Sequence, residues 1–110
     1  MWNTIYKNAN GEGWIDEYGA IRTIADNFKN PSQQLKLIEE LGELSRELSK
    51  DIAVGRNIST ATISEIVDVA ILIEQILYLA EEGAAELARE QLEYKLQRTL
   101  KRIEEGYYEK

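Results

Sequence analysis

The sequence predicts an all-α domain of the four-helix-bundle type, on three observations. Apolar residues recur at intervals of three and four along most of the 110 residues, which is the spacing of helices that bury one face. The single proline, Pro31, lies between two such segments. No internal repeat, low-complexity tract or long linker interrupts the pattern. We therefore expect an N-terminal extension over residues 1–16 and one domain over residues 17–110.

The first predicted helix covers residues 16–28 and ends at the motif KNPS. In that motif Asn30 can cap the next helix and Pro31 suits its first position. Gln33 lies three residues after the cap, where a capping-box partner would stand. The apolar stripe of this first helix consists of Tyr18, Ile21, Ile24, Ala25 and Phe28.

The second predicted helix runs to about Val54, and Gly55 ends it. Gly42 lies inside this helix at a cost of about 1 kcal/mol relative to alanine, which predicts that another helix packs closely there. The apolar residues are spaced by four, three, four and four, as in the seam of a bundle. These residues are Leu37, Leu41, Leu44, Leu48 and Ile52.

The third predicted helix follows the loop GRNIST, where Ser59, Thr60 or Thr62 can cap it, and reaches about Glu82. Its segment IVDVAILIEQILYLA is apolar nearly all round, so we expect burial on more than one side. This implies a partner, most economically a second copy of the chain in a dimer or tetramer. After Gly83, a fourth helix is predicted over residues 84–105, and it carries the apolar residues Leu87, Leu92, Leu96, Leu100 and Ile103.

Composition restricts the chemistry that the chain can perform. It has no cysteine and no histidine, which excludes disulfides, thiolate or imidazole catalysis and the usual zinc ligands. The formal net charge of -7 argues against a broad basic surface for nucleic acid. There is no apolar run of about 18 residues and no targeting segment. We expect a cytoplasmic protein that binds neither nucleic acid nor membrane.

Carboxylates are crowded on two of the predicted helices. Glu40, Glu43 and Glu47 form one stripe on the second helix, and Glu65 and Asp68 are spaced i, i+3 on the third. Asp68 precedes the apolar run VAILI, where an unpaired carboxylate would be costly. If Glu40 and Glu43 face Glu65 and Asp68 across the bundle, repulsion among the carboxylates favours binding of a hard divalent cation, Mg²⁺ or Mn²⁺.

A structural interpretation of the same acids stays open. Each stripe taken alone can be a solvated helix face, because exposed like-charged pairs cost only tenths of a kcal/mol. Glu65 also lies three residues after Thr62, where a capping box would place it.

The acidic residues resemble the signature of a known family. The motif EELGE (Glu39, Glu40, Glu43), twenty-one intervening residues and the motif EIVD (Glu65, Asp68) are similar to the EExxE and ExxD motifs of the MazG-like all-α nucleoside triphosphate pyrophosphohydrolases. The resemblance covers about residues 17–105, and the segments QQLKLIEELGEL and SEIVDVAILIEQI are similar to small phage and bacterial members.

The resemblance implies hydrolysis of a nucleoside or deoxynucleoside triphosphate to the monophosphate and pyrophosphate. By position, Glu40, Glu43, Glu65 and Asp68 match the family's metal ligands. Glu39 matches the first motif glutamate, to which we assign a supporting contact or the orientation of the attacking water. A water nucleophile agrees with the absence of histidine and cysteine.

Basic residues on the fourth helix are candidates for binding the phosphates. Lys95, Arg98 and Arg102 are spaced i, i+3 and i+7 and resemble the late-helix K-x-x-R of the family. The alternative is that they are solvent-facing partners of nearby glutamates. Gln33, on the face of Glu40, resembles a polar position that precedes the motif in similar proteins, and capping explains it equally well.

Two other classes of function remain as alternatives to the enzyme. One is a non-catalytic helical oligomerisation or adaptor module whose acidic surface reflects composition alone. The other is a remnant of the family fold that binds nucleotides without hydrolysing them.

Overall fold

The computed structural model describes residues 17–28 and 31–109, with side chains from Gly19 onward. All regular structure in these ranges is helical, which confirms the predicted all-α class. Within these ranges four helices follow one another: α1 (Glu17–Phe28), α2 (Ser32–Val54), α3 (Thr60–Leu79) and α4 (Ala84–Glu104). The chain divides into two compact units, Met1–Leu79 and Ala80–Lys110, so that α1, α2 and α3 belong to the first and α4 to the second.

Helix α3 is the centre of the first unit, because it packs against both α1 and α2. This confirms that the apolar α3 segment is covered on more than one side. Among the described residues few apolar side chains are buried, and Ala25 of α1 is completely buried. The buried apolar residues are Ile21, Ala25, Val69, Ala70 and Leu72.

The turn between α2 and α3 is closed by backbone and side-chain hydrogen bonds. Gly55, at φ +68°, ends α2 as predicted, and the Arg56 amide donates to the Asp51 carbonyl at 3.1 Å, which is the Schellman arrangement. Ser59 then caps α3, since its hydroxyl oxygen accepts from the Thr62 amide at 3.2 Å. The proposed capping box of Thr62 and Glu65 is therefore wrong, because Thr62 already lies inside the first turn.

Capping of α2 differs from the prediction. Pro31 occupies the position before the first helical residue, and no side chain of the described residues caps this end. Asn30 lies outside the described residues. Gln33 is buried, and its side-chain oxygen accepts a hydrogen bond from Nε2 of Gln75 on α3, so its carboxamide contacts another helix instead of completing a capping box.

Helix α3 ends at Leu79, three residues earlier than predicted. The following residues form a turn in which the Ala84 amide donates to the Glu81 carbonyl at 3.0 Å. Gly83 immediately precedes α4. The prediction of a helix up to Glu82 took Gly83 as the residue that breaks it, whereas the structure ends the helix at Leu79 and places a turn before Gly83.

Many apolar side chains remain exposed in the chain as described. On α2, Leu41 is 46% and Ile52 is 80% exposed, although both belong to the predicted seam. Ile24 and Phe28 of the predicted α1 stripe are also exposed, whereas Ile21 and Ala25 are buried. Helix α4 has no buried residue, and its apolar residues Leu87, Leu92, Leu96, Leu100 and Ile103 are each more than half exposed.

Gly42 does not mark close packing among the described residues. A Cβ atom added to Gly42 would meet no other atom within 4 Å beyond its own helix backbone and chain neighbours. Gly42 instead leaves an open place on the exposed surface of α2.

Within the described ranges, no helix is long and apolar enough to cross a membrane.

Candidate metal centre

Three carboxylates from two helices come together in the first unit. Glu40 and Glu43 lie one turn apart on α2, and Glu65 lies on α3. Each offers one carboxylate oxygen, and these oxygens all lie within 4.8 Å of one another. The two helices run in opposite directions, since Gln33 contacts Gln75 and Asp51 contacts Thr62. The structure thus brings together Glu40, Glu43 and Glu65 as the sequence predicts.

Two oxygens of this cluster are buried without a partner. When both carboxylates are ionised, Oε2 of Glu40 and Oε2 of Glu65 are buried and have no hydrogen-bond partner among the described residues. Glu40 as a whole is only 7% exposed. A buried carboxylate oxygen without a donor is unfavourable, so both atoms fit the chemistry of ligands to a hard cation.

Lys36 is the basic residue that contacts the cluster. Its Nζ lies 3.2 Å from Oε1 of Glu40 and 3.7 Å from Oε1 of Glu39. The contact with Lys36 lowers the pKa of Glu40, and the same contact, together with the charge of Glu39, raises the pKa of Lys36. Lys36 therefore keeps the Glu40 carboxylate ionised, but it engages only one of the two oxygens.

Glu65 has the opposite electrostatic environment. Burial, followed by the neighbouring Glu40 and Glu43 carboxylates, raises the pKa of Glu65 to about 7. In the absence of a cation, protonation of Glu65 is the way the cluster relieves repulsion among its carboxylates. A divalent cation would relieve the same repulsion while leaving all three carboxylates ionised.

The remaining predicted acidic residues lie outside this cluster. Asp68 is exposed, so the expected cost of a buried carboxylate before VAILI does not arise. Its charge still contributes to the raised pKa of Glu65, and its role as a ligand stays a prediction. The Glu39 side chain is 61% exposed. Glu47 accepts from Lys50 at 3.2 Å.

The basic residues of α4 contact aromatic rings within their own unit. The Arg98 guanidinium lies 5.5 Å from the centre of the Tyr94 ring, and that of Arg102 lies 5.0 Å from the Tyr107 ring. No ion pair joins Lys95, Arg98 or Arg102 to a carboxylate within the described part of the chain. The assignment of these three residues to phosphate binding stays a prediction.

A buried polar network lies where α2 meets α3. Oδ1 of Asp51 accepts from Nε of Arg56 at 2.7 Å. Oδ2 accepts from the Thr62 hydroxyl at 2.5 Å and from the Ser59 amide at 3.3 Å. The hydrogen bond from Thr62, followed by the contact with Arg56, lowers the pKa of Asp51 to about 2. The network keeps this buried carboxylate ionised.

Sequence reasoning overlooked Lys36 and Asp51. The spacing of Lys36 and Glu40 is i, i+4, which is a recognisable helical ion pair. Asp51 follows the seam residue Leu48 by three positions, which places it on the packed side of α2. A carboxylate at such a position requires buried hydrogen-bond partners. The predicted cap residues Ser59 and Thr62 were the available candidates.

Comparison with protein-family models, curated proteins and solved structures finds no match for this chain. The resemblance to the pyrophosphohydrolase signature therefore rests on the sequence motifs alone.

Proposed function

We propose that the protein is a cytoplasmic, Mg²⁺-dependent nucleotide pyrophosphohydrolase that acts as a homo-oligomer of bundle-like subunits. Its reaction is hydrolysis of a nucleoside or deoxynucleoside triphosphate to the monophosphate and pyrophosphate. The observation that carries the proposal is the pair of buried, partnerless oxygens on Glu40 and Glu65, in a cluster of carboxylates from two helices. The order and spacing of the EELGE and EIVD motifs support it independently.

In this proposal Glu40, Glu43 and Glu65 hold the cation, with Asp68 as a further ligand. Mg²⁺ is the first choice and Mn²⁺ the second, because both accept sets of carboxylate oxygens. A bound cation would supply positive charge that offsets the charge of the substrate's phosphates. Glu39, whose side chain is exposed beside Lys36, acts as a supporting ligand or orients the attacking water.

The water oxygen becomes part of one product in this reaction. The bond between the α-phosphate and the pyrophosphate breaks, pyrophosphate leaves, and the proton released by water passes to a carboxylate or to solvent. We assign contacts with the phosphates to Lys95, Arg98 and Arg102, which have no carboxylate partner in the described chain. Gln33 is the weaker candidate for a substrate contact, since its oxygen is engaged by Gln75.

Pyrophosphate release tests the proposal. The purified protein is incubated with Mg²⁺ and a panel of canonical and modified nucleoside and deoxynucleoside triphosphates, and pyrophosphate is measured separately from orthophosphate. Glu43→Gln and Glu65→Gln should abolish release while the helical circular dichroism signal persists. Glu47→Gln is the matched control, because Glu47 lies one turn further along α2 outside the cluster. Asp68→Asn decides whether Asp68 is required.

The exposed leucines of α4 favour a second candidate, a helical oligomerisation or adaptor module without catalysis. This candidate predicts no release of pyrophosphate and no change in Tm with millimolar Mg²⁺, whereas a metal enzyme is stabilised by its ion. A nucleotide-binding protein without hydrolysis would show Mg²⁺-dependent binding of a triphosphate and no turnover. Release that persists in both Glu43→Gln and Glu65→Gln would refute the metal assignment.

A further inference from the structure

Two buried polar contacts between α2 and α3 lie on either side of the three carboxylates. Along α2, Gln33 precedes Glu40 by seven residues, and Asp51 follows Glu43 by eight. Along α3, which runs the opposite way, Thr62 precedes Glu65 by three residues and Gln75 follows it by ten. The carboxylate cluster therefore lies between the glutamine pair (Gln33 and Gln75) and the aspartate–threonine pair (Asp51 and Thr62).

All four side chains of these pairs are buried. Gln33 and Gln75 are 4% and 3% exposed, and Asp51 and Thr62 are 3% and 0% exposed. Each pair is joined by a direct side-chain hydrogen bond. A buried polar group is tolerated only when it is hydrogen-bonded. Sliding α2 along α3 would break both contacts and leave Gln33 and Gln75 without each other, although Asp51 would keep Arg56 and Thr62 would keep Ser59. The pairs thus favour one register of the two helices.

The carboxylates between the pairs oppose the packing of α2 against α3. Glu40 and Glu43 on α2 repel Glu65 on α3, and Lys36 offsets only part of this charge, since its contacts are with Glu39 and Glu40. When no cation is bound and Glu65 is ionised, this repulsion favours separation of the helices at the cluster. Contacts on either side of the cluster resist that separation.

We propose that Gln33, Gln75, Asp51 and Thr62 are positioning residues that hold α2 and α3 at the spacing at which Glu40, Glu43 and Glu65 bind a divalent cation. The inference rests on the proposed function for the identity of the ligand. None of the four residues belongs to the cluster. Their effect is to present its oxygens within reach of one another before binding, so that the cation does not have to draw the helices together.

The first test measures Mn²⁺ affinity of the full chain by titration calorimetry. Thr62→Val removes the hydroxyl with little change of shape, and the double variant Gln33→Leu with Gln75→Leu removes both amides. Each should raise the Kd for Mn²⁺ by about tenfold or more, as loss of groups that support metal ligands commonly does. Thr62→Ser keeps the hydroxyl and should restore the Kd to within about twofold of the wild type.

The matched control is Ile21→Val, which shortens a buried apolar side chain in the same unit without touching the pairs. It should lower Tm and leave the Kd for Mn²⁺ unchanged, so that a general loss of stability is separated from a loss of positioning. Measurements are made well below the lowest Tm of the set. If Thr62→Val and the double leucine variant bind Mn²⁺ as tightly as the wild type, the positioning role is refuted.

A second test needs no metal. In EDTA at about pH 9, where Glu65 is ionised, Glu65→Gln should give a higher Tm than the wild type, because it removes repulsion that the pairs oppose. In the Thr62→Val background the same substitution should raise Tm by less. Loss of the hydrogen bond from Thr62 to Asp51 should already allow the helices to separate, which weakens the repulsion. Equal increments in the two backgrounds would overturn the positioning role, as a double-mutant cycle without coupling.

The two tests separate this inference from the proposed function. If the wild type binds no Mn²⁺, or Glu65→Gln binds it equally well, the metal assignment fails and the cycle in EDTA alone decides whether the pairs hold the helices. If Glu65→Gln abolishes binding and the pair variants bind normally, the metal site stands and the positioning role fails.

Discussion

Nζ of Lys36 lies 3.2 Å from Oε1 of Glu40, one turn along the same helix, while Oε2 of Glu40 is buried without a partner. The two oxygens of one carboxylate therefore have different environments. One is compensated by the protein, and the other is suited to an external cation.

Replacing Lys36 with methionine tests this division. Without metal, Lys36→Met should lower Tm by roughly 5 °C, because the buried Glu40 carboxylate loses its cation. Millimolar Mg²⁺ should then raise the Tm of the variant more than that of the wild type, because the cluster is more negative. Lys101→Met is the control, since Lys101 is exposed and 3.9 Å from its partner Glu105. A Tm unchanged in EDTA would contradict the role given to Lys36.

Asp51 predicts a defined response to acid. Its pKa is about 2 in the folded protein, against 3.8 for an unperturbed aspartate. Its contribution to stability is therefore complete above about pH 4 and is lost as pH falls towards 2. Urea unfolding between pH 2 and 5 should therefore show a gap between wild type and Asp51→Asn that narrows on acidification. Glu93→Gln, at an exposed position, should follow the wild-type profile. A constant gap would show that Asp51 does not titrate as described.

Ala25 tests the packing of α1 on α3. It is completely buried, so Ala25→Leu should lower the free energy of unfolding by about 1–3 kcal/mol through overpacking. The neighbouring Ile24 is 43% exposed, and Ile24→Leu should change the same quantity by less than about 0.5 kcal/mol. Urea denaturation of the two variants measures both values. Equal changes in the free energy of unfolding for Ala25→Leu and Ile24→Leu would contradict the burial of Ala25 between α1 and α3.

Gly42→Ala should stabilise the protein. The added methyl group meets no atom within 4 Å outside its local backbone, and alanine is favoured over glycine inside a helix by about 0.5–1 kcal/mol. Urea unfolding measures this gain. Ser45→Ala, at another exposed position of α2, serves as the comparison. A loss of stability would show that a second molecule or a substrate-binding element approaches α2 at Gly42.

The apolar face of α4 predicts self-association. Light scattering coupled to size exclusion should give a mass that is a multiple of the 12.6 kDa chain. Leu100→Lys should shift the protein to smaller species, because Leu100 is 66% exposed on a face of the kind that drives helix association. Gln97→Lys adds the same charge off that face and should leave the mass unchanged. A monomeric wild type would refute the homo-oligomer.

The sequence predicts the helices well because their signals are local. Apolar spacing locates all four, and Gly55 ends α2 where the left-handed conformation allows the Schellman hydrogen bonds. The predicted end of α3 was wrong by three residues. A backbone hydrogen bond from Ala84 to Glu81 closes the turn before Gly83, and the helix propensities of these residues do not indicate that turn.

The same difference between local and long-range signals applies to the residues of the candidate site. Glu40, Glu43 and Glu65 were identified from spacing within each helix, and the structure brings them together. The contact of Gln33 with Gln75 joins residues that are 42 positions apart, and capping explained Gln33 locally. Asp68 shows the reverse error, because an apolar neighbourhood in sequence does not determine which side of α3 a residue faces. Its carboxylate is exposed.

The polar and apolar residues of α2 have different roles, and this difference determines which substitutions the protein tolerates. Register with α3 depends on the few polar residues Gln33, Asp51 and their partners, whereas the leucine seam is largely exposed in the described chain. Leucine, isoleucine and methionine should therefore interchange freely along the seam, and libraries that randomise it should retain the carboxylate geometry. A paralogue could acquire a new binding partner through this face without rebuilding its acidic site.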